Sequence, residues 1–223
     1  MIPALSHVDC WIFDLDNTLY PASADLFGHI DVRMGLYIQR LLGVDPEEAH
    51  RIQKGLFRDH GTTLSGLMTT HDIDPHEFLA FVHDIEMDSL AEDRRIVEGI
   101  AELPGRKLIF TNGDRDYAGR VLQKLGLSTT FEAIHDIHAC AYQPKPHAAS
   151  YASMVDALGV TPHSALFVDD MSRNLKPAKA IGLTTVWVNN GSDHGDHGHD
   201  PDHIDFEIND VGQWLDEILG KIR

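Results

Sequence analysis

Cysteine is scarce in this chain of 223 residues, which contains only Cys10 and Cys140. Two cysteines that lie so far apart indicate neither a disulfide framework nor a cysteine-based metal site. Cys10 lies within an apolar run, which favours a small buried core residue over a reactive thiol. A chain of this length can bury enough apolar surface to fold without covalent cross-links.

Positive charge is also scarce, because 18 Lys and Arg residues stand against 35 Asp and Glu residues and leave a formal net charge of −17. This charge argues against a nucleic acid polymer or an anionic membrane as a standing partner. A site for a phosphorylated substrate would have to be locally positive, which a metal ion and one or two basic side chains would achieve.

Long hydrophobic runs are absent, since no stretch approaches the roughly 18 apolar residues of a membrane-spanning helix. Residues 1–7 contain neither the basic segment nor the apolar segment of a secretory signal. We therefore expect a cytoplasmic protein without a membrane partner. Its oligomeric state, monomer or homodimer, stays open.

Helical periodicity dominates the first third of the chain. After a short apolar strand at about 8–14, no strand pattern interrupts residues 24–85. The clearest apolar stripe comprises Leu26, Ile30, Met34, Tyr37 and Leu41. Two Asp-Pro pairs, at 45–46 and 74–75, are typical of helix N-termini. The pattern predicts a helical bundle inserted after the first strand.

Strands and helices alternate from Arg106 onward. Strands are predicted at about 107–111, 131–137, 164–168 and 184–188. Helices are predicted at about 117–125, 147–158, 174–181 and 211–222. Such alternation is typical of right-handed βαβ units and a parallel sheet covered on both faces. The predicted fold class is α/β, a doubly wound parallel-sheet (Rossmann-like) core at 1–20 and 92–223 with an inserted α-helical cap domain at 21–91.

Polar residues cluster at four places around the predicted strand ends. They are Asp14, Asp16 and Thr18, then Thr111 and Asn112, then Lys145 between two prolines, and finally Asp169, Asp170 and Asn174. Each group alone has an ordinary explanation, such as a turn, a surface lysine or a helix N-cap. The carboxyl ends of parallel strands share one edge of a sheet, so we expect all four groups to meet there.

Two of these features suggest particular chemistry. Asp14 and Asp16 point to the same side of an extended chain, and close carboxylates repel unless a cation or a proton lies between them. Mg²⁺ fits such a pair, because it takes oxygen ligands and substrate phosphate. The prolines on either side of Lys145 are expected to keep that segment extended and to direct its ammonium group into the site.

In this order the four groups resemble the motifs of the haloacid dehalogenase superfamily of phosphohydrolases, over nearly the whole chain. The inserted helices resemble the type 1 helical cap of its subfamily I. Finer matches at 13–21, 61–67, 110–115 and 169–174 resemble the pyrimidine 5′-nucleotidase branch. Tyr117 departs from that pattern, because a histidine is expected at this position in the branch.

The resemblance implies catalytic roles for Asp14 and Asp16. Asp14 would be the nucleophile and would form an aspartyl-phosphate. Asp16 would protonate the leaving oxygen and then take a proton from the attacking water. This role of Asp16 argues against dehalogenation, because a halide leaves without a proton.

The resemblance also implies binding and supporting residues. Mg²⁺ would be held by the Asp14 and Asp170 carboxylates and the Asp16 carbonyl, with Asp169 as a further ligand or acting through water. The phosphoryl oxygens would be bound by Thr111, Lys145 and the backbone N–H groups of Leu15, Asp16 and Asn112. Thr18 would form the turn after the first strand, and Asn174 would support the last motif.

The expected function is that of a Mg²⁺-dependent phosphomonoesterase for a small phosphorylated metabolite, with a pyrimidine nucleoside 5′-monophosphate as the leading substrate. The alternatives are a phosphatase for a sugar phosphate or pyridoxal phosphate, a phosphomutase, and a non-catalytic phosphate-sensing or partner-binding module. In the cap, His60, Thr62 and Thr63 are candidates for contact with the organic part of the substrate, although a plain helix-to-helix connector explains them as well.

The segment 193–203 is rich in His and Asp. Its glycines and its spacing match no structural metal site, so we expect a mobile, solvated loop there.

Overall fold

The computed structural model describes residues 2–192 and 195–221. The chain divides into two compact units, which are considered separately: Met1–Ala24 with Leu90–Arg223, called the core unit, and Asp25–Ser89, called the cap unit. The boundaries predicted from the sequence lie at 20/21 and 91/92.

Within the described residues, the strands of the core unit form one sheet. They are β1 Cys10–Phe13, β2 Arg106–Phe110, β3 Ala133–His135, β4 Ala165–Asp169, β5 Thr184–Val188 and β6 Phe206–Ile208. Their spatial order is β3-β2-β1-β4-β5-β6, and every neighbouring pair is parallel. Phe13 of the central strand β1 lies opposite both Ile109 and Val168. The predicted doubly wound α/β fold is confirmed.

Helices follow one another in the cap unit and alternate with strands in most of the core unit. They are α1 Leu26–Leu42, α2 Pro46–His60, α3 Thr63–His71 and α4 Pro75–Val82 in the cap unit, and α5 Arg94–Glu102, α6 Arg115–Lys124, α7 Ala148–Leu158, α8 Ser172–Ala180 and α9 Val211–Leu219 in the core unit. Every helix in the part of the chain that the structure describes is too short or too polar to traverse a bilayer.

Both faces of the sheet are packed against helices, because alternate residues of the buried strands point to opposite sides. On one face, Phe110 and Phe167 pack with Tyr151 of α7, and the Phe110 and Tyr151 ring centroids lie 5.2 Å apart. On the other face, Trp11 meets Trp214 of α9 edge-on at 6.4 Å. Burial of each such apolar side chain contributes roughly 1.5–3 kcal/mol to the stability of the fold. The sheet is therefore a stable support for the residues at its edge.

The cap unit is helical, as predicted. Asp45 and Asp74 cap α2 and α4, because each carboxylate accepts a hydrogen bond from a backbone N–H in the first turn of its helix. Leu41, the last member of the predicted apolar stripe, is 40% exposed, whereas Ile38, which is not part of that stripe, is fully buried. Leu41 lies in the last turn of α1, where the helix ends at Leu42.

Two elements of the core unit were not predicted from the sequence, and others are shorter than predicted. Strand β6 has only three residues, too few for a visible alternation, and it pairs with β5. Helix α5 begins after Asp93, whose carboxylate accepts a hydrogen bond from Arg95 N at 2.9 Å. Strand β1 ends at Phe13, so Asp14 lies just beyond the strand.

Candidate active site

The carboxyl ends of β1 and β4 place two acidic residues side by side. Asp14 directly follows β1, and Asp169 is the last residue of the neighbouring strand β4. The backbone N–H of Asp14 donates a hydrogen bond to the carbonyl of Val168 at 2.8 Å, so the pairing of the two strands continues to this position. Both carboxylates are buried.

Lys145 brings a buried ammonium group between these carboxylates. Its Nζ lies 2.7 Å from Asp14 Oδ1 and 2.7 Å from Asp169 Oδ2. The rings of Phe110 and Phe167 lie 5.2 Å from the same nitrogen. Burial alone would lower the pKa of Lys145, but the two carboxylates outweigh this effect and raise the pKa above its ordinary value. Lys145 is therefore a fixed positive charge in the site.

Asn112 holds the Lys145 segment in place through its side chain. Its Oδ1 accepts a hydrogen bond from Lys145 N at 2.8 Å, and its Nδ2 donates one to Lys145 O at 3.3 Å. The expectation of an extended segment was wrong. His147 N donates to Pro144 O at 2.8 Å and closes a turn in which the Lys145–Pro146 peptide bond is cis. Proline suits turns as well as extended chain, and the sequence does not distinguish the two.

Asp169 is engaged by several donors of the core unit. Asn174 Nδ2 lies 3.0 Å from both of its oxygens, and Met171 N donates to Oδ1 at 2.8 Å. Together with the ion pair to Lys145, these bonds fix the start of α8 to the end of β4. Asp169 therefore anchors the lysine in the site.

Asp14, Asp169 and Asp170 form a buried acidic cluster, in which each residue offers one carboxylate oxygen and these oxygens lie within 4.8 Å of one another. Burial raises the pKa of Asp14 to about 7, although the Lys145 charge acts in the opposite direction. Burial also raises the pKa of Asp170 well above its ordinary value, and the Asp169 and Asp14 charges add to the shift.

The donor set of this cluster fits a hard divalent cation. The three buried carboxylates are accompanied by the ammonium group of Lys145, and the Arg173 guanidinium also interacts electrostatically with Asp169 and Asp170. Ionisation of all three carboxylates therefore leaves a net negative charge in the site. Uncompensated buried charge is costly, and oxygen donors are the ligands that Mg²⁺ prefers.

Thr18 connects the two acidic strand ends. Its hydroxyl donates to Asp14 Oδ2 at 3.4 Å and accepts a hydrogen bond from Asp170 N at 3.1 Å. The turn predicted here is present, because Thr18 N and Leu19 N both donate to Leu15 O. Thr18 thus acts on the carboxylate of Asp14 in addition to shaping the turn.

Two tyrosines hold the carboxylate of Asp16, a feature that the sequence analysis missed. The hydroxyls of Tyr20 and Tyr117 each donate to Asp16 Oδ1 at 2.6 Å. Burial, followed by the Asp16 charge, raises the pKa of both phenols well above the ordinary value. The only sequence signal was the position of Tyr117, where the motif match departs from the expected histidine.

The remaining predicted phosphate-binding groups lie at the ends of β1 and β2. Thr111 is buried, and its Oγ1 accepts a hydrogen bond from Gly113 N at 3.0 Å. Within residues 2–192 and 195–221, the backbone N–H groups of Leu15, Asp16 and Asn112 donate to no acceptor. These groups are therefore available to a ligand.

The three candidate specificity residues lie at the α2–α3 connection of the cap unit. His60 ends α2, and Thr62 caps α3 by accepting a hydrogen bond from Ser65 N at 3.0 Å. Thr63 begins α3 and is buried. The capping bond gives Thr62 a structural role, and contact of these residues with a substrate stays a prediction.

The His- and Asp-rich segment falls partly outside the described residues, which exclude Asp193 and His194. Residues 196–199 are exposed, as expected for a solvated loop. The segment nevertheless contacts the core unit, because the His199 ring lies 4.7 Å from that of Trp187 and Ser172 N donates to Gly195 O at 2.8 Å. Across the described residues, the only metal-compatible group of His, Cys, Asp and Glu side chains is the acidic cluster at the sheet edge.

The relatives found among curated proteins include two phosphatases and a phosphate metabolism protein. The chain is 26% identical to "Phosphate metabolism protein 8" of Saccharomyces cerevisiae, over 79% of this chain and 60% of that protein. It is 26% identical to phosphoglycolate phosphatase of Pseudomonas putida, over 82% and 70%. It is 25% identical to glyceraldehyde 3-phosphate phosphatase of Methanocaldococcus jannaschii, over 93% and 95%. The chain thus spans less than two thirds of the length of the yeast protein.

Solved structures share the fold at lower identity. A haloacid dehalogenase (HAD) phosphatase from Thermococcus onnurineus superposes with a TM-score of 0.64 and 21% identity, over 96% of this chain and 98% of that one. L-2-haloacid dehalogenase from Xanthobacter autotrophicus gives a TM-score of 0.57 and 19% identity, over 96% and 99%. The sequence of residues 8–182 matches the family model of the haloacid dehalogenase-like hydrolases. With this match and with the acidic cluster at the carboxyl edge of its parallel sheet, the chain belongs to the haloacid dehalogenase-like hydrolase family.

Proposed function

We propose that this protein is a Mg²⁺-dependent phosphomonoesterase that works through an aspartyl-phosphate on Asp14. The observation that carries the proposal is the buried arrangement of Lys145 with Asp14, Asp169 and Asp170. A carboxylate that attacks a phosphate dianion meets like-charge repulsion, and fixed positive charge at the reacting oxygens offsets it. The ammonium group of Lys145, 2.7 Å from Asp14 Oδ1, is placed to do this.

The reaction would proceed in two balanced steps. In the first, an Asp14 oxygen forms a bond to phosphorus while the bond from phosphorus to the leaving oxygen breaks, and Asp16 gives that oxygen its proton. In the second, Asp16 takes a proton from water, the water oxygen attacks phosphorus, and the Asp14–phosphorus bond breaks to release phosphate. Throughout, Lys145, Thr111 and the free backbone N–H groups of Leu15, Asp16 and Asn112 bind the phosphoryl oxygens.

The metal would be held by the carboxylates of Asp14 and Asp170 and by the backbone carbonyl of Asp16. Bound there, Mg²⁺ would supply positive charge to the phosphoryl oxygens and template the substrate. The carboxylate of Asp169 already accepts four contacts, one from Lys145, one from Met171 N and two from Asn174. We therefore assign Asp169 a role through water or through Lys145, in place of direct binding to the metal.

For the substrate we propose a small phosphorylated metabolite, with a pyrimidine nucleoside 5′-monophosphate first. This choice rests on the motif resemblance to the pyrimidine 5′-nucleotidase branch and on a helical segment of the kind called a type 1 cap. The phosphatases among the relatives act, by their names, on phosphoglycolate and glyceraldehyde 3-phosphate, so small sugar-type phosphates are the next class to test.

Two other activities share the same machinery. A phosphomutase would return the phosphoryl group to a sugar instead of water, and a phosphorylated hexose distinguishes transfer from hydrolysis. A dehalogenase would use Asp14 as nucleophile but would need no proton donor for the halide. Asp16, held by two hydroxyl donors, favours a leaving group that requires a proton.

The test is a panel of nucleotides, sugar phosphates and pyridoxal phosphate, assayed for released phosphate with Mg²⁺ and with a chelator. We expect release from at least one ester, its loss with chelator, and no release by the Asp14→Asn variant. Absence of release from every ester would favour the phosphate-sensing or partner-binding alternative, and release that survives chelation would remove the metal from the proposal.

A further inference from the structure

We propose that Tyr20 and Tyr117 are positioning residues for Asp16, and that their two hydroxyls together hold Oδ1 so that Oδ2 carries the catalytic proton. This inference rests on the proposed phosphomonoesterase function and adds two residues to it. Neither tyrosine touches the reacting atoms in the two proposed steps of phosphate transfer, so both act through Asp16.

The geometry gives Asp16 an asymmetric carboxylate. Both tyrosine oxygens lie 2.6 Å from Oδ1, a distance typical of a charge-assisted hydrogen bond from a hydroxyl to a carboxylate. Oδ2 accepts no hydrogen bond from the described part of the chain. A proton on Oδ1 would compete with two donors already pointing at it, so the free oxygen is the one that can exchange a proton with a ligand.

The two donors are themselves held in place by separate elements. Tyr20 lies four residues after Asp16, at the end of the turn that follows β1, and is 3% exposed. Tyr117 lies in the first turn of α6, where the Asp114 carboxylate accepts a hydrogen bond from Tyr117 N at 2.8 Å, and is 1% exposed. A buried ring cannot change rotamer freely, so each hydroxyl is a fixed donor.

Fixing Oδ1 removes a motion that would slow the first step, in which Asp16 gives its proton to the leaving oxygen. A carboxylic acid attached to a short side chain rotates about its terminal torsion, a broad two-fold rotation that exchanges the two oxygens. Two donors on one oxygen select a single orientation of the carboxyl group, and catalytic geometry is sensitive to such orientation. Removing one hydroxyl while keeping the ring should therefore impair proton transfer more than it impairs folding or substrate binding.

Leaving-group dependence tests this inference directly. Tyr20→Phe and Tyr117→Phe are each assayed with two esters: p-nitrophenyl phosphate, whose leaving group departs with little help from an acid, and the alkyl phosphomonoester that wild type hydrolyses best. For the alkyl ester we expect kcat to fall roughly tenfold to a hundredfold in each variant, as expected for loss of a hydrogen bond to a charged group. For p-nitrophenyl phosphate the fall should be under about threefold, with KM nearly unchanged for both esters.

Controls separate positioning from structure and from failure of the proposed function. Tyr37→Phe removes a hydroxyl from the cap unit, where the Tyr37 ring packs on Phe78 and Phe81, and should leave both activities unchanged. In the Asp16→Asn background, either Tyr→Phe change should have no further effect on kcat. Circular dichroism reports whether each variant is folded, and if one variant does not fold the other carries the test.

Equal losses of kcat on both esters, or unchanged kcat on the alkyl ester, would overturn the inference while leaving the phosphomonoesterase proposal intact. Wild-type protein that hydrolyses neither ester in the presence of Mg²⁺ would overturn both. An effect of Tyr→Phe that persists in the Asp16→Asn background would also overturn the inference, because it would place the tyrosines on a different group.

Discussion

Removing the charge of Lys145 should destabilise the protein far more than removing a surface lysine. At an effective dielectric near 20, each contact at 2.7 Å corresponds to about 6 kcal/mol of Coulomb attraction. Desolvation offsets much of this attraction, but removal of one partner leaves the other charges buried. Loss of a buried partner typically costs about 3–5 kcal/mol. Lys145→Met keeps most of the volume and removes the charge, so we expect a loss of that size, or a melting temperature lower by roughly 6–20 °C.

The matched control is Lys179→Met. Lys179 also forms an ion pair with an aspartate, Asp205, but the two side chains are 37% and 31% exposed. Ion pairs exposed to this degree contribute about 1 kcal/mol or less to the free energy of unfolding. Both variants are unfolded in urea without metal at about pH 8 and about pH 5.5. The Lys145→Met loss should shrink at the lower pH, because Asp14, with its pKa raised to about 7, is then protonated.

A Lys145→Met variant as stable as Lys179→Met at about pH 8 would refute this reasoning, because it would mean that the ammonium group does not compensate buried carboxylates. Equal losses at the two pH values would show that Asp14 is not the partner that titrates. In either case the slope of the free energy of unfolding against urea should match that of wild type, which confirms that the same folded state is compared.

Three further predictions follow from the site and the core. Asp14→Asn should reduce kcat by a factor on the order of 10⁶, as loss of a covalent nucleophile does elsewhere, while circular dichroism stays that of wild type; retained turnover would remove Asp14 from the nucleophile role. Because burial raises the pKa of Asp14 to about 7, the metal-free native state keeps a proton there that the unfolded state has lost between about pH 4 and 7. The contribution of Asp14 to the free energy of unfolding should therefore fall with rising pH by up to about 1.4 kcal/mol per unit, and Mg²⁺ should raise the melting temperature more at about pH 8 than at about pH 5.5. A rise in melting temperature with Mg²⁺ that is independent of pH would contradict the assignment of Asp14 as a ligand. Burial raises the pKa of Cys10 to about 11 and that of Cys140 to about 12. Neither thiol should therefore react with iodoacetamide at about pH 8 until the protein is unfolded, as mass spectrometry can show. Rapid labelling of the native protein would contradict the burial of these thiols.

The convergence of the acidic residues was predictable because topology alone produces it. Asp14 follows one apolar strand and Asp169 ends another, and adjacent parallel strands end at the same edge, so no side-chain detail was needed to place them together. Lys145 was recognised by its motif, and its distance of 2.7 Å from both carboxylates depends on a turn that the sequence did not reveal. The proline-flanked pattern permits an extended chain and a turn alike.

The support of Asp16 was not predictable from the sequence. Tyr117 lies 101 residues after Asp16 in the chain, and the direction of its hydroxyl is set by the packing of α6 on the sheet. The Asn112 side chain was equally hidden, since its motif position suggested a backbone contact with phosphate and the structure shows its amide paired with the Lys145 backbone. Such roles depend on tertiary contacts that periodicity and motif spacing do not encode.

The most direct test of the central claim is to look for the phosphoryl group on Asp14. Wild-type protein is mixed with Mg²⁺ and a phosphomonoester that it hydrolyses, quenched in acid within a single turnover, digested, and examined by mass spectrometry. The account predicts one added phosphoryl group on the peptide that contains Asp14, absent from the Asp14→Asn variant and from a reaction with chelator. Phosphate release without this adduct under conditions that trap other acyl phosphates, or an adduct on a different residue, would contradict it.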